Sequence, residues 1–259
     1  MRAANVAEAE TLYAQTADAK YIAGGQTLIP TMKQRLAAPA ALIDVSGISE
    51  LAFIRHDRGP LVIGAGTRHA DVAASSHASM LIPALAVLAG LIGDPAVRHR
   101  GTLGGSVANN DPAADYPAAV LALNATVKTT RRSIAADAFF TGLFQTALTD
   151  GELITEIEFP IPLRAGYAKF PNPASRYALV GVFVAQFPGA VRVAVTGAAP
   201  CVFRVPEMEQ ALSASFTPDA AARVAIKPDG LNTDLFASAE YRAHLVTIMT
   251  KRAVAAALG

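Results

Sequence analysis

Two double-glycine runs constrain this chain more than anything else in it. They are Ala23-Gly24-Gly25-Gln26-Thr27-Leu28-Ile29-Pro30 and Arg100-Gly101-Thr102-Leu103-Gly104-Gly105-Ser106. Glycine reaches positive φ and carries no Cβ, so successive N–H groups can turn toward one anion and the backbone can approach it closely. Hydroxyls at Thr27, Thr102 and Ser106 add donors at the same places. The first run follows a short apolar stretch, Lys20 to Ala23, that reads as a strand, and it precedes a helical pattern from Leu28 to Leu36 with Pro30 in its opening turn. A strand that ends in Gly-Gly and gives way to a helix N-terminus is an anion site. The second run reads as a loop that again opens a helix, and the two together predict a diphosphate held from two sides.

Composition narrows the classes. Of the 259 residues 52% are hydrophobic and 17% charged, with a net charge of +1, which is too apolar for disorder and offers no basic stripe for nucleic acid. No stretch is long and apolar enough to span a bilayer, so neither nucleic acid nor a membrane is an expected partner. The lone Cys201 rules out an internal disulfide and a cysteine-held cluster from this chain alone, and it lies in an apolar, strand-like stretch that predicts an inert thiol. The first ten residues lack an apolar leader core, so the expected setting is cytoplasmic. The scarcity of charge predicts that part of the outside is covered by another subunit.

Further along, Ala7 to Thr16, Asp71 to Ser76, Ile82 to Leu91 and Tyr116 to Leu123 read as helices. Leu42 to Val45, Thr126 to Thr130 and Glu152 to Phe159 read as strands, and Phe53 to Ala65 as a hairpin turning at Asp57-Arg58-Gly59-Pro60. Beyond Pro160 three β-rich runs, 165–170, 177–187 and 191–196, predict an antiparallel meander with a tight turn at Pro188-Gly189, closed by helices at 207–214 and 238–257. A domain boundary is expected near residues 160–164, giving a region 1–162 of two lobes, about 1–56 and 57–162, and a C-terminal domain 163–259.

Neither glycine run has the Lys-Ser/Thr ending of a Walker A loop or the full spacing of a Rossmann turn. Asp115 has two open readings: an N-cap for the helix at Tyr116, or a carboxylate accepting hydrogen bonds from sugar-type hydroxyls. The five histidines show no metal-type spacing and most of them read as surface or loop residues, and no nucleophile set stands out. Lys169 and Tyr177, either side of Pro171-Asn172-Pro173, read on their own as a surface lysine and a sheet tyrosine.

Taken together, Ala23 to Pro30, Gly64-Ala65-Gly66-Thr67-Arg68, Val97 to Asn109 and Asp111-Pro112-Ala113-Ala114-Asp115 resemble the FAD-binding medium subunit of the molybdenum hydroxylases, the family of carbon monoxide, xanthine and aldehyde dehydrogenases. The similarity continues through Phe139-Phe140-Thr141-Gly142, Ile157-Glu158-Phe159-Pro160 and Ala174 to Gly181, nearly the whole chain.

The resemblance implies an α+β fold. Its FAD-binding region is two-lobed, of the vanillyl-alcohol-oxidase (PCMH-like) type, and is followed by a C-terminal domain of a small antiparallel sheet and helices. It implies FAD as cofactor, with Ala23, Gly24, Gly25, Gln26, Thr27 and Leu28 on one side of the pyrophosphate and Thr102, Gly104, Gly105 and Ser106 on the other. Asp115 would bind cofactor hydroxyls, Lys169 would lie near the flavin, and Tyr177 would place its ring over the isoalloxazine. Ile92 would stand where animal xanthine dehydrogenases carry a phenylalanine. Implied partners are a large subunit with the molybdenum cofactor and a small subunit with iron–sulfur clusters, as a dimer of heterotrimers, with NAD or a quinone-type molecule accepting electrons. The alternative is a self-contained flavin oxidase of the same broad fold. Where family members open with an aromatic-rich stretch, this chain has Met-Arg-Ala-Ala-Asn, so the first edge strand is expected to be missing or altered, and the segment from Phe216 to Asp229 is expected to be short.

Overall fold

The computed structural model describes residues 1–259. Its first portion is a small α/β unit. Helix α1 (Val6–Ala14) is capped by the Asn5 side chain, which accepts from the Glu8 N–H at 2.8 Å, and it packs on a parallel pair of strands, β1 (Ala19–Ile22) and β2 (Ala41–Asp44), joined through α2 (Leu28–Lys33). The first edge strand is reduced to a single parallel bridge, Arg2 to Asp44, with the Ala3 N–H donating to the Asp44 carbonyl. Ala3, Ala9, Ala19, Ile43, Val45, Ile48 and Leu51 form a separate small core there.

Next comes a five-stranded sheet in the order β3-β4-β9-β5-β6, every neighbour antiparallel. Strands β3 (Ile54–His56) and β4 (Leu61–Gly64) are the expected hairpin. From β4 the chain runs through a helical stretch, α3 (His69–Ala74), α4 (Ser76–Leu81), α5 (Pro83–Gly90), α6 (Pro95–Arg98), α7 (Leu103–Asn109) and α8 (Tyr116–Ala122). It returns to the sheet as β5 (Thr126–Thr129) and β6 (Ser133–Ala135). The turn of helix α9 (Ala136–Phe139) and the two-strand ribbon β7 (Phe140–Gly142) and β8 (Gln145–Thr146) precede β9 (Ile154–Phe159). Helix α8 is buried along its whole length, in keeping with a sequence that is apolar all round.

The last portion is the expected antiparallel meander, β10 (Arg164–Pro171), β11 (Ala178–Phe187), β12 (Ala190–Thr196) and the short β13 (Phe203–Arg204), with α10 (Pro206–Ala214), α11 (Pro218–Ala222) and the long α12 (Ala239–Leu258). Its residues explain why β11 reads as a continuous apolar run. Successive side chains point to opposite faces, and both faces are covered. Val180, Val182 and Val184 join Val191, Val193 and Val195 in a core with α10 and α12. Phe183, Ala185, Ala194 and Tyr167 point the other way and enter the large core built around α5, α8 and β9. The C-terminal sheet therefore lies directly against the helices of the preceding portion. No helix is long and apolar enough to cross a membrane.

Candidate functional site

A cleft of about 790 Å³ runs between these portions. Lining it are Ala23, Gly24, Gly25, Gln26, Thr27 and Leu28 of the first glycine run, Thr102, Gly104, Gly105 and Ser106 of the second, and also Ile92, Asp115 and Tyr177. Lys169 is not on its wall but reaches it through Asp115, with Nζ 3.0 Å from Oδ1. Its volume falls within the range of small-molecule and cofactor sites.

The two glycine runs meet backbone to backbone. A Cβ on Gly24 would sit 2.2 Å from the Arg100 carbonyl oxygen and 2.7 Å from Gly101 Cα, so only glycine lets the two segments touch. In the first run Gly25 has φ +69°, and the N–H groups of Gly24, Gly25, Gln26, Thr27 and Leu28 find no acceptor in the protein. Five neighbouring unpaired donors beside a cleft make a row that an anionic ligand can occupy in place of water.

The second run differs from the expectation. It is not a loop: Thr102 is the N-cap of α7, its Oγ1 accepting from the Gly105 N–H at 3.2 Å, so both glycines of the pair lie in the first turn of that helix. The Leu103 N–H donates to the Thr67 carbonyl at 2.9 Å, Gly104 to Ala65 at 2.8 Å and Ser106 to Thr102 at 3.0 Å. These donors are already engaged. The reason for glycine here is space, since a Cβ on Gly104 would lie 2.5 Å from Ala65 Cβ and 2.9 Å from its carbonyl oxygen.

Asp115 occupies the N-cap position of α8 but makes no capping bond. Its carboxylate turns away from the helix toward β10, where the Tyr167 hydroxyl donates to Oδ1 and Lys169 Nζ lies 3.2 Å from Oδ2 and 2.7 Å from the Leu91 carbonyl. Burial leaves the Asp115 pKa raised, against the opposing pull of the Lys169 ammonium and the Tyr167 hydroxyl. Lys169 is not a surface lysine: its side chain is 3% exposed. Tyr177 precedes β11, is 44% exposed, and has its phenol pushed above the usual range by burial and by Asp111 and Asp115.

Sequence reasoning overlooked several residues in and around this cleft. His69 is buried rather than on the surface, its ring lies against Gly101, and burial together with Arg98 holds its pKa down to about 4. Asp111, whose burial raises its pKa, accepts from the Ala113 N–H at 2.9 Å. Glu152 lines the far end. Burial would raise its pKa, but Arg132 and the Thr149 and Thr129 donors bring it to about 2. Tyr167 was detectable in principle, because the Tyr-x-Lys spacing on a strand puts residues 167 and 169 on one face. Cys201 lies in a bend rather than a strand and is half-buried.

Comparison with known proteins gives a consistent result. The family described as "FAD binding domain in molybdopterin dehydrogenase" matches residues 1–162. The carbon monoxide dehydrogenase medium chain of Hydrogenophaga pseudoflava is 36% identical, over 98% of this chain and 94% of its own length. The nicotine 6-hydroxylase medium subunit of Paenarthrobacter nicotinovorans is 34% identical, over 97% and 94%. Among solved structures, carbon monoxide dehydrogenase from Oligotropha carboxidovorans superposes with a TM-score of 0.90 at 30% identity, covering 99% of this chain and 96% of that one. With a family match over more than half its length and such relatives along nearly all of it, this chain belongs to the FAD-binding family of the molybdopterin dehydrogenases.

Proposed function

We propose that this chain is the electron-transfer flavoprotein of a molybdenum hydroxylase, placed between an iron–sulfur subunit that delivers electrons and NAD or a quinone-type acceptor that removes them. The observation that carries the proposal is the row of five unpaired N–H groups, Gly24 to Leu28, on the wall of a cofactor-sized cleft. FAD, when bound, supplies redox exchange in steps of one or two electrons. The chain's own residues do the placing. The first glycine run donates to the diphosphate through its backbone, and Thr102 and Ser106 flank it from the second. Asp115 accepts from hydroxyls of the cofactor, with Lys169 balancing its charge. Ile92 and Tyr177, both on the wall of the cleft, would pack against the flavin ring.

The relatives are named as medium chains or subunits, which supports a large molybdenum-bearing partner and a small iron–sulfur partner, in a dimer of heterotrimers. The separate core of residues 3–51, the antiparallel sheet of residues 54–159 and the meander after Arg164 support two PCMH-like lobes, 1–56 and 57–162, and a C-terminal domain 163–259. A single unpaired cysteine is in keeping with a reducing, cytoplasmic setting.

The test is anaerobic mixing of the FAD-loaded chain with its chemically reduced iron–sulfur partner. Rapid bleaching of the flavin's visible absorption is expected, and an unchanged spectrum contradicts the proposal. Bleaching of the purified chain by an organic substrate with no partner present would instead favour a self-contained oxidase. In the same preparation Asp115→Asn should weaken FAD binding by about 1–3 kcal/mol, the range for a hydrogen bond to a charged acceptor, as read by fluorescence titration.

A further inference from the structure

The Asp115 carboxylate is 5% exposed, and a buried carboxylate is tolerated only when its oxygens are well partnered. Its partners come from the C-terminal sheet. Tyr167 and Lys169 are two residues apart on β10, so both side chains leave the same face of the sheet. The Tyr167 hydroxyl donates to Oδ1, and the Lys169 ammonium lies 3.0 Å from Oδ1 and 3.2 Å from Oδ2. A carboxylate offers about four acceptor directions, and the two hydrogen bonds, from Tyr167 to Oδ1 and from Lys169 to Oδ2, leave others open on a residue that lines the cleft.

The surroundings are shaped to admit the phenol. Gly181 pairs with Lys169 across the β10–β11 ladder, and a Cβ there would lie 2.6 Å from the Tyr167 hydroxyl oxygen. Tyr167 itself is buried, and its ring lies 6.1 Å from that of Phe183. The backbone leading to Asp115 is tied to the same sheet: the Thr196 hydroxyl donates to the Ala114 carbonyl at 2.6 Å, with the Pro112 carbonyl 2.9 Å from the same oxygen, and the Gly197 N–H donates to Pro112 at 2.7 Å. Lys169 alone, a flexible ammonium donor, would hold the carboxylate's charge without fixing which way its plane faces.

Resting on the reading of Asp115 as a cofactor-hydroxyl acceptor, we infer that Tyr167 is a positioning residue that orients the Asp115 carboxylate toward the bound flavin nucleotide, and that Gly181 is glycine to leave room for the Tyr167 hydroxyl. Tyr167 does not line the cleft, so its effect on the ligand passes through Asp115.

A double-mutant cycle on FAD affinity in the full chain, read by flavin fluorescence together with the visible circular dichroism of the bound flavin, tests this. Tyr167→Phe should lower FAD affinity about tenfold, the size of the one hydrogen bond between a cofactor hydroxyl and the Asp115 carboxylate that it would misalign, and alter the flavin's dichroism. In an Asp115→Ala background the same change should cost less than about twofold. Equal losses in both backgrounds, or no loss in the first, overturn the inference. If the Asp115→Ala chain does not fold, Gly181→Ala takes its place: it should reproduce the loss and add nothing to Tyr167→Phe, and additive losses overturn the inference. A wild-type chain that binds no FAD overturns the functional reading as well, whereas tight binding with additive losses overturns only the role of Tyr167.

Discussion

The two glycine runs have the same appearance in sequence and do opposite work in the fold. In the first, Gly24 to Leu28, the backbone donors are free and their residues line the cleft. In the second, Leu103 to Ser106, the donors are engaged by Thr67, Ala65 and Thr102, and glycine serves to let a helix end press against the turn after β4. One run keeps its donors unpaired, and the other spends them on packing. A Gly-Gly pair therefore marks a place where a side chain is intolerable, and only the hydrogen-bond partners tell whether the absent side chain makes room for a ligand or for more protein.

Substitutions where a glycine presses directly on neighbouring backbone should have the largest effect. Gly24→Val places a side chain on the Arg100–Gly101 backbone, which has no flexible end to yield, and should destabilise the chain by roughly 3 kcal/mol or more in a urea melt. Gly104→Val should be nearly as damaging, because it drives into Ala65. If either variant melted like wild type, the packing there would not be as tight as described.

Gly25→Ala separates the two roles. Its φ of +69° makes any side chain strained, by about 1–2 kcal/mol, and the distortion falls on the donor row. FAD affinity should drop more than apo-protein stability does, as compared by titration and thermal melts. The smallest effect is expected at Gly105, where an added Cβ meets only Thr102 Oγ1: Gly105→Ala should change stability by less than about 1 kcal/mol.

Acid sharpens the same contrast. His69, packed on Gly101, has its pKa held down to about 4 from 6.5, so the fold favours the neutral ring. Its contribution is complete above pH 6.5, where both states are neutral, and is lost as the pH falls from 6.5 through 4, because the unfolded chain takes up the proton first. Stability measured across that interval should decline in wild type and decline less in His69→Gln. A parallel decline in both would rule out His69 as its source.

Much of the scaffold was legible because it rests on local patterns. Pro188-Gly189 between two alternating runs predicted the β11–β12 hairpin, and Gly189 has the φ of +77° that such a turn requires. Asp57 to Pro60 did the same for β3 and β4. Helix α7 was missed altogether because Gly-Gly reads as loop, whereas the Thr102 cap and the bonds to Ala65 and Thr67 outweigh the poor helix propensity of glycine.

The candidate site was legible as a set of residues and less so as a set of bonds. Asp115 was open to a capping role that its side chain does not perform, and Lys169 read as exposed although Asp115 and the Leu91 carbonyl enclose its ammonium. Those pairings join residues more than fifty positions apart, beyond the reach of any local pattern. The burial of His69 has the same origin, since the wall that covers it is built from Gly101 and Tyr116.

Amide hydrogen exchange on the full chain, with and without FAD, tests the division of labour between the two runs most directly. The N–H groups of Gly24 to Leu28 should exchange quickly in the free chain and become protected when FAD binds, while those of Leu103 and Gly104 should be protected in both states. Protection gained at Leu103 and Gly104 instead, with residues 24–28 unchanged, would contradict it.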